Sequence, residues 1–145
     1  MSLFSALSVS ASGMAAQRTR AELLVQNLAN SETTRTAEGG PYRRKDVVFS
    51  SAPQTSEFSA VFQTELNATG TGVEVSDIVE DTRDPLKRYM PGHPDADKDG
   101  YVAFPRVNPA EDMVDLMSAN RSYQANISAM SAVKDMLQKS IDLLR

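Results

Sequence analysis

The chain has 145 residues, 41% of them hydrophobic and 23% charged, with a formal net charge of −4. That composition suits one domain with a modest core and supplies no positive field to draw the protein to nucleic acid. With no cysteine and a single histidine, disulfides, thiolate metal sites, cysteine nucleophiles and His-based relays are all excluded.

The chain opens on a mildly apolar stretch with no basic residue before Arg18, and Ser5, Ser8, Ser10 and Ser12 interrupt it. No continuous signal-peptide core is expected there, and no stretch reaches the roughly 18 apolar residues of a membrane span. Leu3, Leu7, Met14, Ala21, Leu24 and Leu28 instead fall on a 3-4 ladder whose other members, Ser10 and Gln17, are polar. The spacing predicts a helix to about Asn30. Beside the ladder, Ser5, Ser8, Ser12 and Ala15 form a stripe of small residues that lets another backbone approach. Serine and Gly13 weaken the helix, so it is expected to need partners and to fray in a free monomer.

Residues 31–108 read as a β-rich insert. Ala37–Pro41 is a turn cluster, followed by a strand at Lys45–Phe49. From Ser50 to Gly72 the composition turns to Ser, Thr, Gln and Gly, which predicts a mobile loop around a short segment at Phe58–Leu66. An alternating run from Val73 through Ile78 predicts a second strand. Tyr101–Phe104 predicts a third, entered through a tight turn at Asp99-Gly100.

The last zone carries the clearest periodicity. Met113, Leu116, Asn120, Tyr123, Ile127, Met130, Lys134, Leu137, Ile141 and Leu144 lie on one 3-4 ladder, apolar except at Asn120 and Lys134. This is the pattern of a long helix with one narrow seam. Asn108 is placed to cap it, Pro109 suits its first position, and Glu111 follows three residues after the cap. A helix running from Pro109 to Arg145 is far longer than a core of this size can cover. The expected fold is therefore mainly α with a small β-rich insert. Residues 1–30 and 109–145 pair as an antiparallel coiled coil, and residues 31–108 lie between them.

One stretch looks like a ligand site. Asp95-Ala96-Asp97-Lys98-Asp99-Gly100 matches the first half of a calcium-binding EF-hand loop. The twelfth loop position, which should supply a bidentate glutamate, is Arg106, and Pro105 obstructs a following helix. An acid-rich turn is the better reading, and a calcium-responsive adaptor is the alternative function. His93, between Gly92 and Pro94, reads as a turn residue. Arg43-Arg44-Lys45 reads as a solvated or interface-facing basic loop. No phosphate loop, dinucleotide fingerprint or nucleophile elbow is present, so neither a catalytic set, a cofactor nor a resident metal is expected.

Two long motifs go beyond pattern. Ser12–Arg18 continues to an Asn27-Leu28-Ala29-Asn30 box followed by Thr33, and Tyr89–Val102 includes Pro-Gly-His-Pro-Asp-Ala-Asp. Together with Gly40–Phe49 and Asn120–Asn126 they resemble the flagellar rod and hook family, and within it the proximal rod proteins. The likeness spans nearly the whole chain outside about Ser50–Gly72, and departs from the usual pattern at Arg106, where asparagine is common. It implies a structural, non-enzymatic subunit that stacks helically with copies of itself and other rod proteins into the periplasmic drive shaft and its export channel. It also implies delivery by the flagellar type III export apparatus without a cleaved signal peptide, and contact with the adaptor protein joining rod to membrane ring. No nucleic acid and no membrane insertion are expected. The seam residues Leu3, Leu7, Met14, Ala21, Leu24, Leu28, Met113, Leu116, Tyr123, Ile127, Met130, Leu137, Ile141 and Leu144 are the expected subunit-interface set.

Overall fold

In the computed structural model, residues 3–51 and 72–143 are described. The segment Phe58–Leu66, almost all of the expected loop over Ser50–Gly72, and Leu144 lie outside them. Two helices account for most of the rest, α1 (Leu3–Ala29) and α2 (Pro109–Asp142). Between them lie strands β1 (Lys45–Ser51), β2 (Val73–Glu80), β3 (Leu86–Tyr89) and β4 (Tyr101–Phe104). The fold is mainly helical with two small antiparallel sheets, β1 with β2 and β3 with β4.

α2 starts where its cap requires. The Asn108 side chain accepts from the Ala110 amide and Pro109 occupies the first turn. Glu111 and Asp112 place negative charge near the unpaired amides of the helix N-terminus, and Lys139 lies in the last turn, the favourable sense for the helix dipole. At about 1.5 Å per residue, α2 is about 51 Å long and α1 about 40 Å.

The helices run antiparallel. Gly13 packs against Asn126, and Arg20 Nη2 reaches Asp115 Oδ1 at 3.4 Å. The face each helix buries is not centred on its apolar ladder. The buried residues of α2 are Asp112, Ala119 and Val133, each one position before the expected Met113, Asn120 and Lys134. On α1, Ala16, Leu24 and Asn27 are buried, so two of the three again precede the ladder positions Gln17 and Leu28. One residue is about 100° of helix rotation. Small residues, Ala16 and Ala119, lie on the buried faces. A Cβ added at Gly13 would lie 3.2 Å from Asn126 Nδ2, so a side chain there would crowd the Asn126 carboxamide. Larger apolar residues are displaced to the flanks.

β1 and β2 pair from Lys45 opposite Glu80 to Ser51 opposite Val73, with an irregularity between Val48 and Phe49. Both strands pack on α1. A groove between α1 and β1 is lined by Leu23, Leu24, Val47 and Phe49. At the other end of β2, Ser12 Oγ accepts from the Val73 amide at 3.0 Å, and the Gly72 backbone lies against the same serine. The serine stripe thus admits a passing backbone at Ser12.

Two strand boundaries differ from the sequence reading. Ser50 and Ser51 extend β1 instead of opening a loop, and β2 continues to Glu80. β3 was not expected at all. Its Leu-Lys-Arg-Tyr sequence has neither β-branched residues nor alternation, and all four residues are exposed. It is a strand because Tyr101–Phe104 supplies its partner, with Val102 and Phe104 as the buried side. Arg88 lies over the Phe104 ring at 4.9 Å, and Tyr89 meets Tyr101 edge-on. The turn between them needs Gly100 at φ +80°, where a Cβ would lie 2.9 Å from the Tyr89 ring.

If a side chain at Gly13 crowds Asn126, Gly13→Leu should lower the stability of the free chain by about 1–3 kcal/mol through overpacking. An unchanged midpoint in urea denaturation would contradict this.

Candidate functional site

The buried polar residues converge where the end of α1, the start of β1 and the start of α2 meet. Asn27, fully buried in the last turn of α1, bonds both sides of one residue. Its Nδ2 donates to the Lys45 carbonyl and its Oδ1 accepts from the Lys45 amide, each at 2.9 Å. A carboxamide offers a donor and an acceptor side by side on one planar group. Tyr42 Oη donates to the same Oδ1 at 2.9 Å, and burial pushes the Tyr42 phenol above its ordinary range.

The rest of the Asn-Leu-Ala-Asn box builds the turn that returns the chain to Asn27. Asn30 Nδ2 donates to the Gln26 carbonyl, Thr33 Oγ1 donates to Asn30 Oδ1, and the Tyr42 amide donates to the Thr33 carbonyl. Leu28 is half-buried and Ala29 exposed. Asn27, Asn30 and Thr33 therefore have local architectural work, which also presents Arg44 to α2.

Arg44 is where the basic-loop reading is corrected. Its Nη2 pairs with Asp112 Oδ1 at 3.0 Å and lies 3.4 Å from Asp46 Oδ1, and the Asp112 side chain is 1% exposed. Lys45 pairs with Glu80 across the sheet. Of the three basic residues only Arg43 is exposed. Desolvation pushes the Asp112 carboxyl above the usual carboxylate range, with Arg44 opposing that shift. Sequence periodicity gave no signal for Asp112, because an acid in the first turn of a helix reads as a dipole partner.

Two of the three calcium-like acids, Asp95 and Asp97, are engaged within the chain. Thr34 Oγ1 donates to Asp95 Oδ2 at 2.8 Å and Arg35 sits beside Asp95 Oδ1. Asp97 Oδ1 accepts from the amides of Asp99 and Tyr101. His93 is a turn residue whose Nδ1 accepts from the Asp95 amide. No group of three or more candidate metal ligands occurs among the described residues.

The second surface of interest is the flank left by the helix pair. Within the single chain Leu3, Leu7, Met14, Ala21, Leu28, Leu116, Met130 and Leu137 are half-buried, and Leu24 is buried. Met113, Tyr123, Ile127 and Ile141 are exposed, joined on α2 by Met117 and Val114. A shallow groove beside Tyr123 is lined also by Gln17, Arg18, Ala21 and Ala119. Sustained exposure of large apolar side chains along one helix marks a surface for association.

Among known proteins, residues 98–143, comprising β4 and α2, match the family described as flagellar basal body rod FlgEFG protein C-terminal. Over its full length the chain is similar to the flagellar basal-body rod protein FlgC of Bacillus subtilis, 43% identical over 150 residues and covering 99% of each chain. It is 40% identical to that of Borreliella burgdorferi over 152 residues, covering 100% of this chain and 99% of the relative. The Salmonella typhimurium protein of the same name is 38% identical over 143 residues, covering 99% and 98%.

Two outcomes test the junction. Arg44→Ala strands Asp112 as a buried charge and should cost about 3–5 kcal/mol, whereas Asp112→Asn should cost less. The raised Asp112 carboxyl means that the folded chain holds this proton more tightly than the unfolded chain. Its contribution therefore favours folding at low pH and is lost as pH rises from the unfolded value through the raised folded one. Between about pH 3 and 7 the urea midpoint of the native chain should fall relative to that of Asp112→Asn as pH rises. Equal slopes in the two would contradict the assignment.

Proposed function

The chain belongs to the family of the flagellar basal-body rod protein FlgC, and from that premise we propose how its helix flank and small sheets serve a rod subunit. It is a structural protein of the flagellar basal-body rod, associated there with other rod components, and not an enzyme. No described helix is long and apolar enough to cross a membrane.

The finer reading is mechanical. Copies of the chain stack helically with one another and with other rod proteins. Residues 1–30 and 109–145 form the helical core as an antiparallel coiled coil around the export channel, and residues 31–108 make lateral contacts that resist twisting. Met113, Tyr123, Ile127 and Ile141 meet neighbouring subunits, while Leu3, Leu7, Met14, Ala21, Leu24, Leu28, Leu116, Met130 and Leu137 hold the seam between the helices and at its edges. The observation that carries this reading is the exposed apolar flank of α2, with Ile127 43% and Met113 53% exposed. Burying such side chains is worth roughly 1.5–3 kcal/mol each, which an isolated chain forgoes. The family premise supports, as part of this reading, the periplasmic part of the rod as location, the flagellar type III export apparatus as route and the rod-to-ring adaptor as neighbour.

Ile127→Asp puts a charge on the exposed flank, where surface substitutions usually change monomer stability by less than about 0.5 kcal/mol. It should leave the free chain folded and still exported, yet block its incorporation into rods and abolish motility. Leu28→Asp should also block assembly. Normal rods and swimming in both variants would count against the reading.

A further inference from the structure

The β3–β4 hairpin carries opposite charge at its two ends. At its base a cleft opens between Gly39–Arg44 on one side and Asp81, Arg83, Pro85, Pro105 and Arg106 on the other. Arg43, Arg83 and Arg106 border it. Arg43 Nη1 donates to the Asp81 carbonyl at 3.1 Å, and Arg83 pairs with the Asp81 carboxylate. Arg106 is exposed and makes no hydrogen bond or ion pair among the described residues. Arg44, also in the wall, is already paired with Asp46 and Asp112. The Asp81 carboxylate thus pairs with Arg83 alone, and Arg43 meets only the Asp81 main-chain carbonyl. Asp81 is accordingly held well below the usual carboxylate range, chiefly by Arg83, with Arg106 contributing.

At the opposite end the hairpin tip is acidic. Asp97 and Asp99 are exposed on either side of Lys98. Asp97 uses Oδ1 to hold the turn, and the Asp99 carboxylate has no partner among the described residues. The four paired residues of each strand, at about 3.4 Å apiece, hold tip and base about 13 Å or more apart. The tip therefore does not reach the base of its own hairpin.

We propose that the acidic tip at Asp97–Asp99 of one copy docks in the arginine cleft of a second copy, with Arg106 and Arg43 receiving its carboxylates. This rests on the rod-subunit reading and adds a specific contact to it. Guanidinium groups suit this role because they take carboxylates in a planar, bidentate geometry. The contact joins two different surfaces, so it is head-to-tail and leaves a free tip and a free cleft at each end to be filled by further copies. Both surfaces lie on the rigid hairpin or against its base, so the direction of the hairpin sets the direction of stacking.

The absence of cysteine makes the test clean. Cells carrying Arg106→Cys together with Asp99→Cys should yield, when isolated basal bodies are treated with a short bifunctional maleimide whose spacer replaces the reach of the lost arginine side chain, linked dimers and higher multiples that neither single variant gives. Arg106→Glu alone should reduce incorporation into basal bodies, and adding Asp99→Arg in the same chain should restore it. Incorporated double-cysteine chains that give no cross-link, wild-type incorporation of Arg106→Glu, or failure of Asp99→Arg to restore it would each overturn the contact. Absence of the native chain itself from basal bodies would instead overturn the rod-subunit reading beneath it.

Discussion

The fold depends first on one buried carboxamide. Asn27 closes α1 and, by bonding both the amide and the carbonyl of Lys45, fixes where β1 begins. Tyr42 completes the acceptor and pins the preceding turn. One residue before Lys45, Arg44 reaches the buried Asp112 in the first turn of α2. Three elements distant in sequence are thereby registered within a few residues of one another. Buried polar groups leave little latitude, because each loses water and must recover its bonds in one geometry.

From that junction the helices run away together in opposite directions, and their contact is made by small residues. Gly13, Ala16 and Ala119 allow close approach, while Met113, Met117, Tyr123 and Ile127 are turned to the flank. A chain maximising its own stability would centre its apolar seam on the partner helix. This one divides the seam, with Leu116, Met130 and Leu137 at its inner edge and Met113, Tyr123, Ile127 and Ile141 outside. The division makes sense for a rod subunit, whose final stability comes from neighbours as well as from its own packing.

Much of this was legible in the sequence because it follows from local rules. The Asn108–Pro109 cap, the extent of α2, the Tyr101–Phe104 strand and the turn at Gly100 all depend on neighbours close in the chain. The 3-4 ladders gave the two helices but not the rotation of their faces, since apolar periodicity does not register how closely Gly13 and Ala119 let backbones approach. Arg44 and Asp112 were illegible for another reason: charged residues read as solvated until a partner 68 positions away is brought beside them. β3 depended on β4 for its existence. The Asn27–Asn30 box was visible as a motif, but its purpose emerged only when Lys45 was seen against it.

On the rod-subunit reading, the outer flank of α2 is open in the free chain and covered in the rod. The most direct measurement of this is the rate at which a thiol reagent modifies Ile127→Cys in the isolated subunit and in purified basal bodies, in a background free of other cysteines. The account predicts rapid labelling of the free chain and strong protection in the assembled rod. Equal rates in the two states, with the variant incorporated normally, would contradict it.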